Sequence, residues 1–165
     1  MKKIIVLGHT GFIGKKVFVA LKKKYQKNKI IHLRGLSSGQ VDLTNKSSIK
    51  KLKREIANNS IIIICSAIKS NYGNSLEILK KNVRIIENIA SSILGKSIKK
   101  IIYLSSNAVY GVYKNHKLIN EKAQISTDTY YSVSKYISEA ILKLILGKKD
   151  KKKLIILRPT IVYGP

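Results

Sequence analysis

Tryptophan is absent from this chain of 165 residues, which holds only one cysteine, one methionine and two prolines. A lone cysteine excludes a disulfide scaffold, and 10 glycines with 2 prolines exclude a collagen-like repeat. Acidic residues are also scarce: 8 stand against 33 basic ones, a formal net charge of +25. Long apolar runs are missing as well, since no stretch reaches the about 18 residues of a membrane span. Met1-Lys2-Lys3 and the apolar residues after it imitate a secretory signal, but His9-Thr10-Gly11 and Lys15-Lys16 break the run. A soluble, cytoplasmic protein with no membrane contact is expected. Cys65, in the apolar run that begins at Ile61, reads as a small buried hydrophobe in a reducing compartment.

What remains is ordinary globular composition, 44% hydrophobic and 25% charged, enough for one domain with a packed core. The charge would attract any polyanion. Yet 29 of the basic residues are lysine and 4 arginine, alongside abundant isoleucine and asparagine, which is the mark of codon bias. Readers of nucleic acid lean on arginine and on aromatics for stacking. Here the tyrosines do not alternate with lysine runs such as Lys22-Lys23-Lys24 or the Lys148–Lys153 stretch. A solvated basic surface is therefore the reading, and nucleic acid is not the expected partner.

Short apolar runs alternate with amphipathic stretches along the chain. Strands are predicted at Lys3–Leu7, Ile30–Leu33, Ile61–Cys65, Lys100–Leu104 and Leu154–Leu157, with a short one at Gln40–Leu43. Helical spacing runs from Gly11 to Tyr25 (Ile13, Val17, Leu21, Tyr25) and from Ser47 to Ala57. A longer helix is predicted over Leu76–Leu94, with Leu79, Val83, Ile86, Ala90 and Ile93 as its stripe. The last helix, Tyr130–Leu146, should bury Val133, Ile137, Ala140, Ile141 and Leu144. Strands joined by helical crossovers imply a single α/β domain, a doubly wound parallel sheet of the Rossmann type.

Between the first strand and the first helix runs Gly8-His9-Thr10-Gly11-Phe12-Ile13-Gly14. A glycine at Gly8 permits a tight turn, one at Gly11 admits a pyrophosphate, and one at Gly14 lets helix and strand pack closely. The helix N-terminus then turns free N–H groups toward the phosphates. This predicts a dinucleotide site. The second strand runs into Arg34, where an acid would accept from an adenosine ribose. Arginine can instead pair with a 2′-phosphate, which favours NADP over NAD unless Arg34 is one more solvated base. Asp42, within Val41-Asp42-Leu43, is either an acceptor for the adenine amino group or an acid at a helix start.

Ile101-Ile102-Tyr103-Leu104-Ser105-Ser106 ends a strand in hydroxyls, and Tyr131 and Lys135 lie at i and i+4 on the last helix. A free tyrosine titrates near about 10, and a neighbouring ammonium would lower that toward the working range. Ser106 could hold a substrate oxygen within reach of Tyr131. His9, His32 and His116 have no ligand-like spacing, so no metal site is read.

These motifs, with Cys65-Ser66-Ala67, Asn82-Val83, Ser105-Ser106-Asn107-Ala108-Val109-Tyr110-Gly111, Leu157-Arg158-Pro159 and Val162-Tyr163-Gly164-Pro165, cover nearly the whole chain. It resembles the N-terminal part of an extended short-chain dehydrogenase/reductase, the NAD-dependent epimerase/dehydratase family acting on nucleotide sugars. The resemblance implies that Ser66, Ala67 and Asn82 line the cofactor cleft, that Asp42 contacts adenine with Leu43 in the same group, and that Thr160 sits by the nicotinamide. It implies that Ser106, Tyr131 and Lys135 carry the proton chemistry, Lys135 also holding the nicotinamide ribose.

Two departures from the family pattern matter. Sugar dehydratases of the family carry an acidic pair after the catalytic hydroxyl, where this chain has Asn107-Ala108. That argues against a 4,6-dehydratase and leaves an epimerase or a reductase. Family members also continue into a smaller substrate domain, which is expected to be missing here and to leave an apolar patch uncovered. The competing readings are a catalytically silent dinucleotide-binding module or fragment and, after it, a basic nucleic-acid-binding protein. A homodimer is left open.

Overall fold

The computed structural model describes residues 2–69, 73–111, 119–147 and 150–164; His116, Lys148 and Pro165 lie outside the described residues. Five strands alternate with four α-helices. In chain order they are β1 (Lys2–Leu7), α1 (Phe12–Tyr25), β2 (Ile31–Leu36), α2 (Ser48–Glu55), β3 (Ile61–Ile64), α3 (Leu76–Ile93), β4 (Lys100–Leu104), α4 (Tyr130–Leu146) and β5 (Leu154–Leu157). The sheet order is β2-β1-β3-β4-β5 and every pairing is parallel. Right-handed crossovers place α1 on one face and α2, α3 and α4 on the other. This is the doubly wound sheet that the alternation of patterns implied.

Register assigns the faces. Ile5, Leu7, Leu36, Ile62, Ile64, Ile101 and Tyr103 share one face, and all are buried. Leu52 of α2, Ile85, Ile86, Ile89 and Ile93 of α3, and Leu142 of α4 close over them. Each such side chain contributes roughly 1.5–3 kcal/mol of burial. On the opposite face Ile4 and Val6 are buried beside α1. Farther along that face Ile61, Ile63, Ile102 and Leu104 are half-buried, and Ile155 and Leu157 of β5 are 37% and 47% exposed. Cover is lost progressively toward the β5 edge.

Three sequence expectations need correction. Gln40–Leu43 is a turn, not a strand: the Gln40 and Val41 N–H groups both donate to the Ser37 carbonyl, and Val41 and Leu43 are buried without pairing into the sheet. Strand β2 runs past Leu33 to Leu36, because it stays in register with β1 through Leu7. Helix α4 turns a different row inward. Its buried residues are Ser132, Ser134, Lys135, Ser138, Glu139 and Leu142, whereas Leu144 is 80% exposed. Small serines permit a close approach to α3, where Asn82 donates to Ser134 Oγ at 3.4 Å, and they satisfy themselves within the helix: Ser134 Oγ donates to the Tyr131 carbonyl and Ser138 Oγ to the Ser134 carbonyl. The aliphatic row Val133, Ile137, Ala140 and Ile141 is half-buried.

Candidate active site

The glycine loop joins β1 to α1 at the carboxyl edge of the sheet, near the point where strand order reverses. Gly8 has φ +80°, and a Cβ there would stand 2.8 Å from Ser66 Oγ. At Gly14 a Cβ would come within 2.1 Å of the Gly8 carbonyl oxygen. The loop is thus held against both its own helix and Ser66, two residues past β3, and side chains larger than hydrogen do not fit. Helix α1 starts from Gly11 with no side-chain cap and no acid in its first turn. Its first N–H groups and positive dipole end therefore face the edge uncompensated, which suits a pyrophosphate.

Two cavities open along this edge, of about 710 and 230 Å³, and both are lined by Gly11, Cys65 and Ala67. The smaller takes in Gly8, Thr10, Leu36, Asp42, Leu43 and Ser66, and the larger Phe12, Ile13, Gly14, Ser106, Tyr131, Lys135 and Thr160. Most of the residues assigned to a dinucleotide from sequence thus line one groove that crosses the sheet edge. The donor set and the bare glycine backbone fit an elongated diphosphate. Burial pushes the Cys65 thiol up to about 11, so it is a neutral wall of that groove.

Two assigned residues fall elsewhere. Arg34 sits within β2, not at its end, and points to the α2 face, where its guanidinium pairs with Glu55 at 3.3 Å. The residues that follow β2 and line the groove are Ser37 and Ser38. The 2′-phosphate argument for NADP therefore loses its geometry. Asn82 is a brace behind the wall: its side-chain oxygen accepts from the Ile68 N–H at 2.8 Å and its amide donates to the Ile68 carbonyl at 3.0 Å. Asp42 is at no helix start. Its Oδ1 accepts from the Thr44 N–H and hydroxyl, which hold the carboxyl below the usual range.

At the other end of the groove stand Ser106, Tyr131 and Lys135. Helix α4 begins in a capping box, with the Thr129 side chain accepting from Ser132 N–H and the Ser132 hydroxyl accepting from the Thr129 N–H. That fixes the register of Tyr131 and Lys135. Ser106 Oγ accepts from the Ala108 N–H at 3.2 Å and lines the larger cavity together with Tyr131. Lys135 is 4% exposed, donates to the Leu104 carbonyl at 2.8 Å, and stands 5.6 Å from the Tyr131 ring centre. Burial raises the Tyr131 phenol, and the neighbouring Ser106 hydroxyl opposes the rise. Burial also brings the Lys135 ammonium down to about 8. The depression expected of Tyr131 is thus not found, because burial of the phenol is the larger influence on it.

Over residues 4–165 the chain matches the NAD dependent epimerase/dehydratase family. It belongs to that family. Among curated relatives, it is 26% identical to dTDP-D-glucose 4,6-dehydratase of Dictyostelium discoideum, covering 100% of this chain and 45% of that protein. It is 26% identical to UDP-glucose 4-epimerase of Vibrio cholerae, covering 99% of this chain and 53% of that protein. The chain thus spans about half the length of the curated relatives it matches. Among solved structures, the UDP-glucose 4-epimerase of Thermus thermophilus in complex with NAD superposes with a TM-score of 0.77 at 19% identity, over 96% of this chain and 54% of that one. The dTDP-4-dehydrorhamnose reductase of Bacillus anthracis in complex with NADP gives 0.74 at 23%, over 99% and 55%.

Within this member of the epimerase/dehydratase family, sequence reasoning missed one cluster beside the site. Glu139, one helical turn beyond Lys135, is fully buried and paired with Arg158. The signal available was its spacing: Tyr131, Lys135 and Glu139 recur at i+4 on one helix row. No group of three or more His, Cys, Asp or Glu that could hold a metal occurs among the described residues, and no helix among them is long and apolar enough to cross a membrane.

Proposed function

We propose that the chain binds NAD or NADP and provides the proton-handling site of a nucleotide-sugar epimerase or reductase. The observation that carries this reading is the convergence of Ser106, Tyr131 and Lys135 on the same groove as the glycine loop. A bound nicotinamide supplies the hydride acceptor or donor. Ser106 holds the reacting sugar oxygen against Tyr131, and the Tyr131 phenolic oxygen takes its proton as the alcohol becomes a carbonyl, or returns it in the reverse step. Lys135, in its charged form, favours the phenolate and holds the nicotinamide ribose. A bound dinucleotide would add diphosphate charge to the groove, which favours charged Lys135 over the neutral form that burial promotes.

Asn107 and Ala108 present no carboxyl after Ser106, so the reading stops at hydride and hydroxyl-proton transfer and includes no loss of water. NAD and NADP are both retained, because Arg34 no longer decides between them. Replacing Tyr131 by Phe should leave dinucleotide affinity intact and reduce nucleotide-sugar turnover by about 10²–10⁴-fold. Tyr130, whose N–H bonds Asn74 and whose side chain is exposed, is the control. Loss of turnover in Tyr130→Phe but not in Tyr131→Phe contradicts the assignment. Dinucleotide binding with no turnover in any preparation supports the silent module instead.

A further inference from the structure

We propose that the Glu139–Arg158 pair is a positioning device that holds Ser106 beside Tyr131 in the groove. The proposal rests on the reading of Ser106 and Tyr131 as the proton-handling pair. Glu139 lies on α4 in the same row as Tyr131 and Lys135, and it is 0% exposed. Arg158 is the first residue after β5. Its Nε donates to Glu139 Oε1 at 2.9 Å and a terminal nitrogen donates to Oε2 at 2.6 Å, the two-pronged geometry that fixes orientation as well as distance. The remaining terminal nitrogen donates to the Tyr110 hydroxyl at 2.6 Å, with the guanidinium 4.9 Å from the centre of that ring.

The pair reaches Ser106 through its neighbours. The Ser105 hydroxyl donates to Glu139 Oε1 at 2.6 Å. The Ser105 N–H donates to the Leu157 carbonyl at 2.7 Å, and the Asn107 N–H to the Pro159 carbonyl at 3.0 Å, on either side of Arg158. Ser106 therefore sits on a short span pinned at both ends to the strand that carries Arg158, and pinned through Ser105 to the helix that carries Tyr131. The side-chain link runs through Glu139, and the two backbone bonds flank Arg158, whose fork ties that strand end to α4.

Stability alone does not account for such a pair. Two desolvated charges gain little over a well-packed apolar pair of similar volume, and replacing both is often neutral or stabilising. An apolar pair would fill the space but could not bond Ser105 and Tyr110. Burial pushes the Glu139 carboxyl up, but the Arg158 fork and the Ser105 hydroxyl outweigh it and hold it below the usual range, so the pair stays charged at neutral pH. Lys143, 3.7 Å from Oε2 and half-exposed, and the buried Lys135 are further cations facing it.

The test uses Glu139→Gln and the double variant Glu139→Leu/Arg158→Met, each also carrying Tyr131→Phe as a reference. Three quantities are read on the chain: the thermal midpoint, NADH affinity by calorimetry, and the Tyr131 titration, taken as the difference in ultraviolet phenolate absorbance against the reference. Ser106 opposes the rise of the Tyr131 phenol, so releasing it should move the midpoint upward. The double variant is expected to fold, to bind NADH within about threefold of wild type, and to show that upward shift. A folded double variant with an unmoved Tyr131 midpoint overturns the proposal. Should the double variant not fold, Glu139→Gln decides by the same reading. Absence of nucleotide-sugar turnover in the wild type would count against the proposed function and leave this titration unaffected.

Discussion

Lys135 is the residue whose physics is least like its surface counterparts. Its folded midpoint of about 8 lies below the ordinary 10.5. Between those values the unfolded chain binds the extra proton, so stability rises with pH there; below about 8 both states are charged and the folded state bears the full desolvation cost. Lys135→Met should therefore stabilise the fold at pH 7 by roughly 1–2 kcal/mol after the lost Leu104 bond is discounted, read as a higher thermal midpoint. The gain should shrink as pH rises through that window. A lower midpoint at pH 7 contradicts it. Arg34 gives the opposite case: its side chain is 43% exposed and its Glu55 partner lies away from the groove. Arg34→Asp should leave the ratio of NADPH to NADH affinity within about threefold of wild type. A larger swing toward NADH restores the 2′-phosphate role. Tyr131 with Lys135 was legible from spacing because a helix converts i and i+4 into one row. Arg34 was misread because a strand end cannot be located to a residue without its partner, and β2 continues as long as β1 pairs with it.

Among elements, the glycine loop with α1 carries the most consequence per atom. A Cβ at Gly14 meets backbone oxygen at 2.1 Å, and neither the helix start nor the loop can yield without moving the phosphate-binding N–H groups. Gly14→Ala should cost about 1–3 kcal/mol of stability and lower dinucleotide affinity at least about tenfold. Gly39→Ala, whose Cβ would have its nearest contact at 4.0 Å, is the matched control and should be silent within about 0.5 kcal/mol. Equal behaviour of the two variants contradicts the loop geometry. Strands β1, β3, β4 and β5 and helices α3 and α4 were all visible as apolar runs and helical periods. Within α4 the choice of face was not. Periodicity selects the aliphatic row ending at Leu144, while the sheet selects the serine, lysine and glutamate row that can come close and be satisfied. A buried polar row carries no hydrophobic signal.

At the scale of the molecule, cover is uneven. Three helices shelter one face of the sheet, and on the other only β1 and its neighbours lie under α1. Toward β5 an apolar surface is open, with Leu157 47% and Ile161 86% exposed. The groove meets that surface at Thr160 and Val162, and most of the rest of its lining comes from the carboxyl ends of the strands and the starts of α1 and α4. The central claim, that this edge is a dinucleotide site with Tyr131 as its proton-handling group, is met most directly by calorimetric titration of NADH and NADPH into the wild-type chain and its Gly14→Ala and Tyr131→Phe variants. The account predicts saturable one-to-one binding of at least one dinucleotide, lost at least about tenfold in Gly14→Ala and kept within about threefold in Tyr131→Phe. No binding by the wild type, or binding that Gly14→Ala leaves unchanged, would contradict it.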